Sequence, residues 1–423
     1  MMLIKIIVTI YFLATFAPII TYFLEKIYTK KLKNIKIKNY IDIYVLLPAF
    51  KEQKIVDSTI EWFRKFKYKG NIKFLIITTQ KEEKEYKDKK IKGLTTSQVV
   101  KNKLKQINDS RFVHYHYPKT IGNKSSQMNY ALKKIKKECN DDTYISVFDF
   151  DSQPELNTFE NLNKVYISKN KPDVINQIPL NIKNFNEISN KSIIMMIYTF
   201  QHLVRSIAIE KLKLLICSLT KLKIPQYCMG ACMHIKHKVL VENNYFPIFV
   251  DDLTLGYRLS IKGYRFTLLP SINLSLIPNN IKGYIGSATL IFKGICTYLN
   301  EIFAIKGNVY GKLKMFIFGT FNLIEFAIVP FIFIFGYIYS LINLKISLLS
   351  LIMILIPILW SISSYYVIRH YKMKSKNKVK LILSIILSPL WFIFRPLGFI
   401  MYFIKKIISI ITKKNIEYKK TER

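Results

Sequence analysis

The chain is poor in acidic residues and poorer still in cysteine. Against 65 lysines and arginines stand 27 aspartates and glutamates in 423 residues, a formal net charge of +38, with 5 cysteines. Those five, Cys139, Cys217, Cys228, Cys232 and Cys296, all fall in the middle of the chain. So few thiols in so long a chain exclude a disulfide framework and imply reduced cysteines in a cytoplasmic region. No internal repeat is present, which argues against a solenoid. The deficit of acid invites a nucleic-acid partner, but lysine is spread over the whole chain with isoleucine and asparagine, as an AT-rich genome produces. No nucleic acid is expected as a partner.

Half the residues are hydrophobic and 22% are charged, so the two classes must be segregated. Ile6 to Leu24 is an uncharged run. Met315 to Leu344 is interrupted only by Glu325, Ile346 to Ile368 is unbroken, and Leu381 to Ile404 is broken by Arg395 and Pro396. A membrane helix needs ~20 apolar residues, so the first three runs are expected to span. Lys5 precedes the first run in the manner of a signal peptide. Pro18, Ile19, Ile20, Tyr22 and Phe23 leave no small-residue cleavage site, however, and a retained anchor is expected. Lysines 26, 30, 31, 33, 36 and 38 follow the first run, and Arg369 to Lys380 follow the third. Such clusters mark the cytoplasmic side and favour anionic lipid headgroups. The expected plan is an anchor over 1–25, a cytoplasmic domain over 40–278, an interfacial segment over 281–314, a membrane region over 315–404 and a basic tail over 405–423. Crossing once more would export the tail, whereas a re-entrant segment hinged at Arg395-Pro396 would keep it inside. Glu325 and Arg395 are costly in apolar surroundings and form a candidate pair.

Between Tyr40 and Pro278, short β-rich apolar runs alternate with helix-compatible stretches. "IDIYVLLPAF", "IKFLIITT", "RFVHYHY" and "TYISVFDFD" read as strands; "VDSTIEWFRKF" and "SSQMNYALKKIKK" read as helices. This alternation predicts an α/β domain with a parallel sheet. In such sheets ligands lie beyond the carboxyl ends of the strands. The fourth strand ends on Asp149-Phe-Asp151, and two carboxylates at a strand end can serve one hard cation, Mg²⁺ or Mn²⁺, shared with substrate phosphates. A solvated turn is the bland alternative. Gly122-Asn123-Lys124 before a helix suits phosphate, and Asp251-Asp252 open another helix, where one carboxylate can cap and the other remain available as a base. Cys228, Cys232, His234 and His237 have zinc-like spacing, but His237 falls on the opposite face of a strand-like stretch.

Taken in order, Pro48-x-x-x-Glu52, Gly122-x-Lys124 with Asn129, Asp149-x-Asp151, Gly230, Asp251-Asp252 and Gly263-Tyr264-Arg265 resemble the family 2 glycosyltransferases over about residues 41 to 275. The shared order and spacing carry the resemblance. It implies a GT-A (nucleotide-diphospho-sugar transferase-like) cytoplasmic domain with N- and C-terminal transmembrane helices, and an inverting enzyme dependent on Mg²⁺ or Mn²⁺. It implies a nucleotide-sugar donor, a lipid-linked or glycan acceptor, and membrane lipids as surroundings. By position it assigns Pro48, Ala49 and Glu52 to the nucleotide pocket and Lys124 to the phosphates. Asp149 would meet the nucleotide and share the metal with Asp151, Gly230 and Asp251 would lie at the donor, and Asp252 would be the catalytic base. Two departures stand out. Thr78-Thr79-Gln80 replace an aspartate usual at the end of the second strand, and the Gln-x-x-Arg-Trp motif of processive synthases is absent after residue 275. The alternatives are a processive polysaccharide synthase, a basic membrane scaffold without enzymatic activity, and a transporter.

Overall fold

The computed structural model describes residues 8–10, 12–248, 251–343 and 348–412. Lys5 and the start of the first apolar run, the start of the third, residues 413–423 of the basic tail and the side chain of Asp251 lie outside the described residues. The chain forms two compact units: Ile27–Pro179 with Cys217–Ser275, and Met1–Lys26 with Leu180–Ile216 and Leu276–Arg423.

The first unit is mixed α/β around an eight-stranded sheet. Its strands are β1 (Ile43–Pro48), β2 (Ile72–Thr79), β3 (Phe112–Tyr117), β4 (Tyr144–Phe148), β5 (Gln153–Pro154), β6 (Val174–Asn181), β7 (Cys232–Lys236) and β8 (Phe266–Ser275). Their order is β3-β2-β1-β4-β7-β6-β8-β5. The pairs β1/β2, β2/β3 and β1/β4 are parallel, whereas β4/β7, β6/β7 and β5/β8 are antiparallel. The parallel sheet expected from the sequence is therefore corrected to a mixed one, parallel only across β3-β2-β1-β4. The parallel half is the half the sequence pattern reveals, because strands covered on both faces read as unbroken apolar runs. Ile43 to Leu47 and Tyr144 to Phe148 are buried throughout.

The core beneath this half is aromatic. Phe63 and Phe66 come from the helix Val56–Arg64 and its end, and meet Phe74, Phe148 and Phe159; Phe66 and Phe159 lie 4.8 Å apart between ring centroids. Truncating any one of these rings to alanine would cost about 3–5 kcal/mol. Strand order turns back at β1, with β2 on one side and β4 on the other. The carboxyl ends of β1 and β4, at Pro48 and Phe148, thus flank a topological switch point, where α/β sheets place their ligands.

The second unit is helical. Phe185, Met196, Phe200, Ile277 and Tyr284 form its core, with Leu381, Ile385 and Phe394 packed against it. Among the described residues no single helix is long and apolar enough to cross a membrane; the bent pairs Val8–Ala14 with Ala17–Lys33 (43°) and Val309–Ala327 with Val329–Gly336 (42°) pass by length and composition. The run Met315–Leu344 is thus not one straight helix but bends at Ile328. The fourth run breaks into Lys378–Ile386, Trp391–Phe394 and Pro396–Thr412. Pro396 occupies the first helical position, where its missing N–H costs nothing. Just before it, Arg395 bonds Glu325, whose Oε1 also lies 3.4 Å from Arg205 Nε, and Arg205 in turn bonds Glu210. Phe326 packs under both guanidinium groups, 5.0 and 4.4 Å from their carbons.

Candidate active site

All the site residues expected from the sequence fall in the sheet unit, and four of them form one hydrogen-bonded chain. Strand β4 ends at Phe148, so Asp149 is the first residue beyond it. Asp149 C=O accepts the Ser152 N–H at 2.9 Å, which makes Asp149–Ser152 a tight turn. The turn is pinned from two sides. Thr59 Oγ1 donates to the Phe150 carbonyl at 2.8 Å, and Asn273 Nδ2 reaches both Ser152 Oγ and the Ala231 carbonyl at 3.2 Å. Asp149 remains part-exposed, while Asp151 is 3% exposed. The two carboxylates therefore sit in different environments.

Lys124 opens the helix Lys124–Ile135. Gly122 precedes it at φ +144°, in the region that favours glycine. Asn123 caps the helix through Ser126 N–H at 3.1 Å, and Ser126 Oγ answers the Asn123 N–H at 3.4 Å. This start aims Lys124 Nζ at two oxygens, Asp149 Oδ1 and the Gly230 carbonyl, each at 2.8 Å. Gly230 in turn donates its N–H to Asp252 Oδ2 at 3.1 Å, and Asp252 Oδ1 takes the Leu253 N–H at 2.8 Å. Asp149, Lys124, Gly230 and Asp252 are thus joined end to end.

Two glycines permit this. A Cβ on Gly230 would lie 2.9 Å from Cγ of Asp252 and closer still to Oδ2. Gly256, inside the helix Asp251–Ile261, lets that helix press on the backbone of Tyr227 and Cys228; a Cβ there would lie 2.6 Å from the Tyr227 carbonyl carbon. Gly256 was not among the residues singled out by sequence. The signal was weak, since an isolated glycine within a helical pattern costs only ~1 kcal/mol against alanine and need not report a close contact.

The other expected residues have defined places. Ala49 is fully buried and donates its N–H to the Ile77 carbonyl at 2.8 Å; Pro48 ends β1 beside Ile77. Glu52 is half-buried, and its N–H meets Thr96 Oγ1 at 3.0 Å. Asn129 makes a two-way bridge to the Phe246 backbone, at 2.8 and 3.0 Å. Gly263, at φ +81°, ends the helix Asp251–Ile261, and Arg265 Nη1 bonds the Lys169 carbonyl.

Magnesium or manganese commonly rests on one or two carboxylates and completes its shell with substrate phosphate and water. Asp151 and Asp149 fit that donor chemistry, with the Lys124 ammonium as a third party on Asp149. Among the described residues no three His, Cys, Asp or Glu side chains gather as a self-sufficient metal site. Within the zinc-like sequence, Cys232 Sγ donates to the Gln177 carbonyl at 2.9 Å and His234 Nδ1 pairs with Ser146 Oγ at 2.7 Å. Burial holds His234 down to about 3, so it is neutral at physiological pH.

No protein-family model and no curated protein matches the chain. Among solved structures it is similar to the crystal structure of S. aureus TarS 1-349, at 14% identity over 90% of this chain and 98% of that one, with a TM-score of 0.39.

Proposed function

We propose that this protein is a membrane-bound inverting glycosyltransferase. In this reading it transfers a sugar from a nucleotide-sugar donor to a lipid-linked or saccharide acceptor at the cytoplasmic face, in the synthesis of cell-surface glycan. The observation that carries the reading is the hydrogen-bonded chain Asp149–Lys124–Gly230–Asp252 beside the switch point of the sheet. It sets a cation and a carboxylate on opposite sides of one glycine, which is what a displacement with an anionic leaving group requires.

The acceptor hydroxyl is a weak nucleophile. Asp252, oriented by the amides of Gly230 and Leu253, takes its proton as the oxygen attacks the anomeric carbon. The bond to the nucleoside diphosphate breaks on the far side, which inverts the anomeric centre. The departing diphosphate gathers charge, and Lys124 meets it. A Mg²⁺ or Mn²⁺ ion on Asp151 and Asp149 would supply further charge neutralisation there. The membrane part of the reading rests on the apolar runs, the bent helix pairs and the flanking lysines.

The test is purified protein in lipid with a panel of nucleotide sugars, Mg²⁺ or Mn²⁺, and lipid-linked or glycan acceptors, scored by nucleoside diphosphate release. Release that disappears in Asp252→Asn supports the assignment, since loss of a general base commonly costs ~10²–10⁴-fold. Equal release by wild type and variant would remove Asp252 from the role, and no release with any donor would end the reading.

A further inference from the structure

The reaction above makes no use of Glu82, yet this carboxylate is one of the most fully engaged side chains in the sheet unit. It lies in the first turn of the helix Gln80–Asp88, which begins where β2 ends. A glutamate there would ordinarily stay in solvent and gain modestly from the helix dipole. Glu82 is instead 1% exposed. Its Oε2 accepts the Lys51 N–H at 2.8 Å. Its Oε1 accepts from Gln53 Nε2 at 2.6 Å and from the N–H and Oγ1 of Thr96, both at 2.8 Å. Thr96 Oγ1 also takes the Glu52 N–H at 3.0 Å. Three consecutive residues of the loop after β1 are therefore tied, directly or through one hydroxyl, to a single buried carboxylate.

A second observation concerns the loop itself. Lys51 has φ +59°, a left-handed conformation unfavourable for a residue with a Cβ. Such a conformation persists only where its surroundings over-determine it, and it is found preferentially at functional sites. Here the restraints are the Glu82 bond to the Lys51 amide and an ion pair from Lys51 Nζ to Glu85 Oε2 at 2.5 Å. The strain lies one residue before Glu52 and two after Ala49.

We propose that Glu82 is a positioning residue for the donor. It holds the strained loop Phe50–Gln53 in the one form that presents Glu52 to the nucleotide, and so sets donor affinity without touching the donor. The proposal rests on the nucleotide-sugar reading and deepens it. A carboxylate is required because four donors converge on two oxygens. An amide has one acceptor oxygen; set against the three donors at Oε1, it leaves its NH₂ facing the Lys51 N–H, which it cannot satisfy.

The experiment compares wild type, Glu82→Gln and Glu82→Gln/Lys51→Gly as full-length protein. The expected result for Glu82→Gln is a donor KM raised roughly ten- to hundredfold, as for loss of hydrogen bonds to a buried charge, with kcat at saturating donor little changed. Without any ligand, the amides of Lys51 and Glu52 should exchange hydrogen faster in this variant. Adding Lys51→Gly should recover much of the donor affinity, because glycine adopts the left-handed conformation freely; a merely structural role would not be rescued this way. Unchanged KM together with unchanged exchange would overturn the proposal, as would a loss of kcat alone. If wild type turns over no nucleotide sugar, the donor reading fails separately. Exchange then decides Glu82, and equal protection in wild type and Glu82→Gln overturns its hold on the loop.

Discussion

Gly230 donates its amide to Asp252 Oδ2 at 3.1 Å, and the same residue's carbonyl accepts the Lys124 ammonium at 2.8 Å. One residue without a side chain thereby fixes the separation of the proposed base and the proposed leaving-group cation. Any Cβ at this position must push Asp252 away, since it would lie 2.9 Å from Cγ. Gly230→Ala should therefore lower turnover on the order of 10²-fold, the usual effect of a displacement of about 1 Å in a reacting group. The stability cost should be only about 1–3 kcal/mol. Steady-state kinetics with a thermal melt separates the two effects. Full activity in a stably folded variant would show that Asp252 need not sit where it does.

The two carboxylates after β4 should respond differently to substitution. Asp151 is buried within the pinned turn, whereas Asp149, at its start, is part-exposed and bonded to Lys124. Asp151→Ala is expected to abolish activity and weaken donor binding, with chelator reproducing both in wild type. Asp149→Asn keeps an acceptor for Lys124 and should retain some activity at saturating Mn²⁺. Undiminished activity in chelator would rule out a metal on this pair.

The parallel half of the sheet was legible in the sequence, because β1 and β4 are self-contained apolar runs and β2 is nearly so. In the antiparallel half only the stretch that holds β7 read as strand-like. Strands β6 and β8 carry buried Asn176, Gln177 and Asn273, and polar residues inside a run hide a strand from a reading based on hydrophobicity. Asn176 is explained only by its long-range partners, the backbone of Tyr227 and Met229. Glu82 sits in a run of charged residues after β2, and nothing local reports that Thr96 and Lys51 close over it. The apolar runs were legible as runs but not as straight helices. Hydropathy counts residues and does not register the break at Ile328.

Acidification should destabilise the sheet unit before its carboxylates protonate. Burial and the neighbouring His116 hold His114 down to about 4, and burial alone holds His234 to about 3, against an ordinary value of 6.5. Both are neutral when folded and can take a proton when unfolded. Between pH 6.5 and 4 the unfolded chain therefore binds more protons, so stability is present above that window and is lost as pH falls through it. The urea midpoint of the full-length protein should drop from pH 7.5 to pH 5. His114→Gln should flatten part of the dependence, because burial lowers His116 and His237 of this unit as well as His234. A midpoint that holds steady or rises on acidification would contradict the assignment.

The pairing of Glu325 with Arg395 turns a question of membrane topology into one of electrostatics. Glu325 is 2% exposed and Arg395 5% exposed, in segments that are otherwise apolar. Burying either charge alone is expensive, and breaking such a pair by removing one member typically costs ~3–5 kcal/mol. Arg205 shares Glu325, and Phe326 packs against both guanidinium groups, so the group acts as a unit. Glu325→Gln should be the most damaging change, because it leaves two buried arginines facing each other. Arg395→Met should be milder, since Arg205 still compensates Glu325, and Glu325→Gln/Arg395→Met should recover part of the loss. The pair also holds the break before Pro396 against the helix Val309–Ala327. A chain held there is expected to turn back instead of crossing. A cysteine at Ile410, which is 68% exposed, should therefore label from the same side of the membrane as cysteines at 372–376. It should change side, or lose its single-sided labelling, in Glu325→Gln. Labelling of Ile410 from the opposite side in the unaltered background would show that the segment crosses and that the pair serves packing alone.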